Sequence, residues 1–194
     1  PVVVDNRAQS LVSSEIVSKA PPDGYTLIVA ASGLWVLPLM QKTPYELKQF
    51  APVALLSREV NAFVMHPSVP VSSIKELIAL AKAKPGTLNY SSGGNAGSTH
   101  LAVELFKSMA GINLVHIAYK GGGPATTAFF GGEVQLTLMG AGSVAPFVKS
   151  GKLKALAVTS AEPSPMAPGI PTVAAAGVPG YEAISLFGLL VPDG

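Results

Sequence analysis

The sequence predicts an α/β protein with a mainly parallel sheet, built as one large domain or two small lobes. Three observations lead there. Short apolar runs alternate with helix-forming segments along most of the chain, the pattern of parallel sheets covered on both faces. Three of those runs end in glycine and small polar residues that open a helix, at 91–97, 120–123 and 140–143. Two long apolar runs, near 53–65 and 184–191, bracket a self-contained series of strands and helices and suit hinge strands. The expected lobes are 1–68 with 183–194, and 69–182.

The elements follow in order. Val2 to Val4 reads as a strand stub, followed by a helix from about Ser13 to Ala20. Pro21-Pro22-Asp23-Gly24 turns the chain into a strand, Tyr25 to Ala31, and 38–50 reads as irregular. A long strand follows through Phe63, Val64 and Met65. The capping box Ser73-Ile74-Lys75-Glu76 then starts a helix with Ile74, Leu77, Ile78 and Ala81 on one face. Leu88 to Tyr90 is a strand, and the helix after it is expected to bury Leu101, Leu105 and Met109 and to turn His100, Glu104, Lys107 and Ser108 outward. Gly111 caps that helix. Strand Leu114 to Ala118 leads to a short helix with Pro124 in its first turn. Strand Val134 to Leu138 leads to a third short helix ending at Gly151. Strand Leu153 to Thr159, a proline-rich excursion, a short helix at Thr172 to Ala176 and strand Ile184 to Val191 complete the chain.

Composition narrows the function. Of the 194 residues, 48% are hydrophobic and only 12% charged, against about 25% charged in an average globular protein. The chain can therefore bury a sizeable core. A net charge of +2, spread over scattered Lys and Arg, gives no nucleic-acid footprint. No apolar run reaches the ~18 residues of a membrane helix, so no direct membrane insertion is expected. Without a basic-then-apolar leader, the chain is expected to be mature, truncated or cytosolic. The absence of cysteine excludes disulfides and thiolate metal sites.

The most informative segment is LNYSSGGNAGSTHLAVELF, Leu88 to Phe106. Small residues from Ser91 to Gly97 let the backbone approach a ligand, and a helix then opens at Ser98-Thr99. The first turn of a helix leaves N–H groups unpaired, and with the helix dipole they suit a carboxylate or phosphate. The same residues also describe a plain strand-to-helix turn. The threefold repetition of the device favours a ligand, since ligands sit at the carboxyl ends of strands in open α/β sheets.

Catalytic groups are scarce. His66, His100 and His116 lack metal-ligand spacing, and no Gly-x-Ser-x-Gly elbow or Walker-type Gly-Lys-Ser/Thr is present. His66 and His116 read as structural imidazoles. His100 lies in the first turn beside the loop, as a ligand contact or as a partner of Glu104 four residues on. Gly140-Ala141-Gly142-Ser143-Val144-Ala145 fits the dinucleotide pattern G-x-G-x-x-A, with Glu162 about twenty residues on. A nicotinamide-dinucleotide-binding enzyme is therefore the alternative reading. Gly151 and Pro146 leave that loop a short helix.

A family resemblance rests on an ordered set of motifs. They are Asp5-Asn6-Arg7, Pro22-Asp23-Gly24-Tyr25-Thr26-Leu27, Phe50-Ala51-Pro52-Val53, Leu88-Asn89-Tyr90-Ser91-Ser92-Gly93, His100-Leu101-Ala102 with Glu104-Leu105-Phe106, and Tyr119-Lys120-Gly121. Gly151-Lys152-Leu153, Ala155 to Ser160, Pro171-Thr172-Val173 and Gly177 to Tyr181 continue the series. The chain resembles the substrate-binding receptors of tripartite tricarboxylate transporters, the Bug-type periplasmic receptors. The resemblance implies a periplasmic-binding-protein type II fold with a small carboxylate in an inter-lobe cleft. It implies a bacterial periplasmic location and delivery of the ligand to integral-membrane transporter subunits. No catalysis, cofactor or metal is implied. Carried onto this sequence, the site comprises Ser91, Ser92, Gly97, Ser98, Thr99 and His100, with Tyr119, Lys120 and Gly121 beside it and Ser32 from the first lobe.

Departures from the family pattern shape three further expectations. The opening strand, Gly-Gly loop and helix are missing, as are the closing helices, so the chain reads as a fragment with an incomplete first lobe. Ala8-Gln9-Ser10-Leu11-Val12 stands where a glycine-rich loop is expected. Met139 stands where many members place an acid, which disfavours an amine-bearing ligand and makes that wall of the site more apolar.

Overall fold

The computed structural model describes residues 1–7 and 10–194. Its contacts divide the chain into two compact units. The first holds Pro1–Arg58, Ala96–Ser98 and Leu186–Gly194, the second Glu59–Asn95 and Thr99–Ser185. The chain changes unit inside the strands β2 (Phe50–Met65) and β7 (Ile184–Pro192). Six of the seven strands lie on one hydrogen-bonded path, and the seventh, Lys154–Val158, pairs with β2 off that path.

In the first unit, α1 (Ser10–Ser18), β1 (Ile28–Ala30) and α2 (Gly33–Met40) gather Val17, Ile28, Ala30, Leu34, Tyr45 and Phe50 into a small core. Strand β1 pairs antiparallel with β7. Helix α2 occupies part of the stretch expected to be irregular, and it contains Pro38. A proline has no N–H to give the carbonyl four residues back, here that of Leu34. The Tyr45 hydroxyl donates to that carbonyl at 2.9 Å, which replaces the missing helical bond and fixes the following turn. Val2 to Val4 forms no strand and lies exposed; apolar residues alone do not make a strand without a neighbour to pair with. The expected departure at Ala8 and Gln9 lies outside the described residues.

In the second unit the order is β6 (Lys154–Val158), β2, β5 (Leu136–Gly140), β3 (Asn89–Ser92), β4 (Val115–Ala118). Strand β3 runs parallel to β4 and β5, whereas β2 is antiparallel to β5 and β6. The sheet is therefore mixed rather than mainly parallel by pairing, although β3, β4, β5 and β6 all point one way. Strands linked by a crossover helix are held parallel. Strand β2 enters from the other unit, outside that alternation, so nothing holds it to the same direction.

Helix α3 (Ile74–Ala83) buries Ile74, Leu77 and Ala81 as its spacing predicts. The Ser73 hydroxyl accepts from the Glu76 N–H at 3.2 Å, while the Glu76 carboxylate reaches back to the N–H of Ser72 rather than that of Ser73. Alternation in β2 sends Phe63 and Met65 to the core under α3 and α4 (Ser98–Ala110), and Ala62 and Val64 to a second core that includes Phe129 of α5 (Gly122–Phe130). Helix α4 is turned from its expected orientation. It buries Ala102, Val103 and Phe106, and leaves Leu105 and Met109 about 40% exposed. Phe106 packs against Phe63 and Tyr181 with ring centroids 4.8 and 6.1 Å away. That aromatic contact, together with Tyr90 reaching Glu104, sets the rotation. Residues 172–176 form turns rather than a helix, and Thr172 bridges to Val158 instead.

Candidate functional site

Strands β3, β4 and β5 deliver their carboxyl ends to one edge of the second unit, and each runs into one of the glycine-bearing loops. The first two loops are tied by backbone bonds. Tyr119 N–H donates to Ser92 O and Gly121 N–H to Gly93 O, both at 3.0 Å. Glycine is required where they meet: a Cβ on Gly93 would stand 3.0 Å from Gly121 C and Gly122 N. Gly121, at φ +109°, opens α5. Farther along the first loop Ala96 is buried with φ +57°. A non-glycine residue in the left-handed region is uncommon, and such strain gathers at ligand-holding loops.

The hydroxyls expected at the site divide by sheet face. Ser91 is fully buried on the α5 side, where its Oγ donates to Thr137 Oγ1 at 2.9 Å and contacts Ala125 O at 3.2 Å. Its side chain belongs to the core. Ser92 is buried on the α4 side, beside His116 and Gly94. Gly97, Ser98 and Thr99 are partly exposed where α4 begins. Tyr119 is partly exposed and donates to Glu133 Oε2 at 3.3 Å, and Lys120 is exposed. Met139 is half-buried in β5 against the second core. In the first unit, Ser32 precedes the first turn of α2 with its Oγ shielded from solvent and lacking a hydrogen-bond partner among the described residues. A buried hydroxyl left unpaired costs about 1–3 kcal/mol, so its position invites a polar partner.

Sequence reasoning missed the cluster under the first loop. Tyr90, His116 and His100 stack, with His100 and His116 centroids 4.1 Å apart and Tyr90 4.8 Å from His116. The Tyr90 hydroxyl and Lys107 Nζ each donate to Glu104 Oε1 at 2.6 Å. Burial raises the Glu104 carboxyl, but the hydrogen bonds from Lys107 and Tyr90 outweigh it and hold it below its ordinary value. Burial first, and the neighbouring His100 second, push His116 down to about 4. His100 is lowered too, chiefly by burial. Both imidazoles are therefore neutral near pH 7, and the 4.0 Å approach of His100 Nε2 to Glu104 is not an ion pair there. The available signal was the alternation in β3 and β4, which puts Tyr90, Ser92 and His116 on one face. His66, away from this edge, takes the Ser68 N–H on its Nδ1 at 3.3 Å and packs edge-on to Phe129.

The Gly140 loop lacks the form that a pyrophosphate needs. It continues into a 3-10 turn, Ala141–Ser143, and then α6 (Ala145–Lys149), barely more than one helical turn. Met166 lies over Gly142, its Cε 2.8 Å from where a Cβ would be. Among the described residues no His, Asp and Glu cluster could hold a metal, and no helix is long and apolar enough to cross a membrane.

Comparisons with known proteins place the chain in a family. Protein BugT of Bordetella pertussis is 34% identical over all of this chain, which spans 61% of BugT's length. The chain covers about three fifths of the curated relatives that it matches end to end. Among solved structures, the R. palustris protein Rpa4515 with adipate superposes with a TM-score of 0.87 at 33% identity, covering 99% of this chain and 66% of that one. MatC of Rhodopseudomonas palustris with bound malate gives 0.86 at 27%, covering 95% and 64%. The periplasmic binding protein BugD gives 0.89 at 30%, covering 99% and 66%. The family model for the tripartite tricarboxylate transporter family receptor matches residues 1–194, and the chain belongs to that family.

Proposed function

We propose that this chain is the ligand-binding part of a bacterial periplasmic receptor that captures a small carboxylate and passes it unchanged to integral-membrane transporter subunits. The observation that carries the reading is the glycine loop at 93–97. It is tied to the Tyr119–Gly121 loop by backbone bonds and opens α4, so amides and hydroxyls gather where helix polarity favours an anion. The malate and adipate bound to two structural relatives support the same ligand class.

In this reading Gly97, Ser98 and Thr99 meet the carboxylate directly, with Tyr119, Lys120 and Gly121 beside them and Met139 as an apolar neighbour. Ser92 and His100 support the loop from beneath. Ser32 is a further hydroxyl available to a ligand, and its lack of a partner among the described residues supports that assignment. The lobes are 1–68 with 183–194, and 69–182. Binding needs neither metal nor cofactor.

The test is a thermal-shift titration of the full-length protein with malate, adipate and citrate, set against reduced nicotinamide dinucleotide. At least one carboxylate is expected to raise the melting temperature, and the dinucleotide to leave it unchanged. Stabilisation by the dinucleotide alone would favour an enzyme over a receptor.

A further inference from the structure

The Ser92 hydroxyl is the meeting point of three polar groups. His116 Nε2 stands 2.7 Å from it, the Gly94 carbonyl 3.0 Å, and the Gly94 N–H 3.3 Å. A serine hydroxyl has one proton to give. If it gave that proton to His116, the Gly94 carbonyl would lose its donor. All three bonds hold together in one arrangement: His116 Nε2–H and Gly94 N–H donate to Ser92 Oγ, and Ser92 O–H donates to Gly94 O.

That arrangement needs the tautomer with its proton on Nε2, and the surroundings suit a neutral ring. His116 is partly buried and packs against His100 and Tyr90, with ring centroids 4.1 and 4.8 Å away. Of the charged groups on the α4 side of the stack, Glu104 is already engaged by Tyr90 and Lys107. The same strand that carries His116 continues into Tyr119 and Gly121, whose N–H groups hold Ser92 O and Gly93 O. One side chain on β4 and two backbone groups just beyond it therefore hold the first residues of the glycine loop.

We propose that His116 is a positioning residue for ligand capture: through Ser92 it sets the Gly94 turn and so the direction in which the loop's amides face the anion. The proposal rests on the carboxylate-receptor reading but adds a residue that the ligand itself does not touch. It also explains a polar ring on a sheet face that is otherwise largely packed with apolar side chains.

The experiment is a double-mutant cycle in the full-length protein with His116→Phe and Ser92→Ala, together with His116→Gln. The glutamine amide places an N–H donor near the position of Nε2. Affinity for malate and adipate is read by calorimetry, and opening of the loop by hydrogen exchange at the Gly94 amide, with the β2 amides of Phe63 and Val64 as internal control. His116→Phe and Ser92→Ala are each expected to weaken binding about tenfold or more and to speed exchange at Gly94 while leaving the β2 amides protected. The double variant should be no worse than Ser92→Ala alone, and His116→Gln should restore most of the affinity. Additive losses, or unchanged affinity and Gly94 exchange in His116→Phe, would overturn the proposal. If the parent binds neither acid, the receptor reading fails for those ligands, and the Gly94 exchange rates still decide the role of His116.

Discussion

Ser91 and Thr99 both offer hydroxyls near the glycine loop, but their surroundings assign them different work. Ser91 is enclosed by Thr137 and Ala125, so Ser91→Ala should cost about 1–3 kcal/mol of stability and leave ligand affinity nearly unchanged, as denaturant melts and calorimetry would show. Thr99 lies partly exposed in the first turn of α4. Thr99→Val removes its hydroxyl at almost constant volume, and affinity for malate or adipate should fall roughly ten- to a hundredfold with little change in melting temperature. The motif was legible in the sequence, but the two faces of its serines were not, since composition cannot say which strand residue points to which helix. The orientation of α4 failed similarly. Leucines spaced by four pointed to one face, but Phe106 fills the space beside Phe63 and Tyr181 and takes the helix with it.

Elements were easier to read than their partners. Helix α3 announces itself by its cap and its apolar spacing, whereas α2 is hidden by a proline whose cost is offset by Tyr45, distant in sequence from the carbonyl it serves. Tyr45→Phe should leave the Leu34 carbonyl unpaired and lower stability by about 1–3 kcal/mol, measured by denaturant unfolding. Strand β2 was legible as a long apolar run, and its antiparallel direction was not. The packing of β3, β4 and α4 also has a pH signature. His116 titrates near 4 in the folded chain against an ordinary value of 6.5, and His100 is lowered as well. Between those values the unfolded chain binds more protons, so this contribution is complete above about pH 6.5 and is lost as pH falls toward 4. Melting temperature should decline across that window, and His116→Gln should flatten part of the decline. An unaltered slope would show that the ring is more freely solvated than its packing implies.

At the scale of the whole chain, the second unit holds the two larger apolar cores and the first leaves much apolar surface bare. Tyr25, Leu39 and Val29 are 90%, 84% and 61% exposed, and Val53, Leu55 and Leu56 in β2 are each at least half exposed. Bare apolar patches favour association, so the 194-residue chain by itself should run larger than a monomer in size-exclusion chromatography and melt with little cooperativity. A cooperative monomer would show that this surface is tolerated in water. The central claim, that a carboxylate is held at the loop between β3 and α4, is tested most directly by amide chemical shifts of the full-length protein during titration with malate or adipate. The account predicts saturable shifts concentrated at Gly94, Gly97, Ser98, Thr99 and Gly121. Saturable shifts confined to Ala141–Ala145, with the glycine loop unmoved, would contradict it.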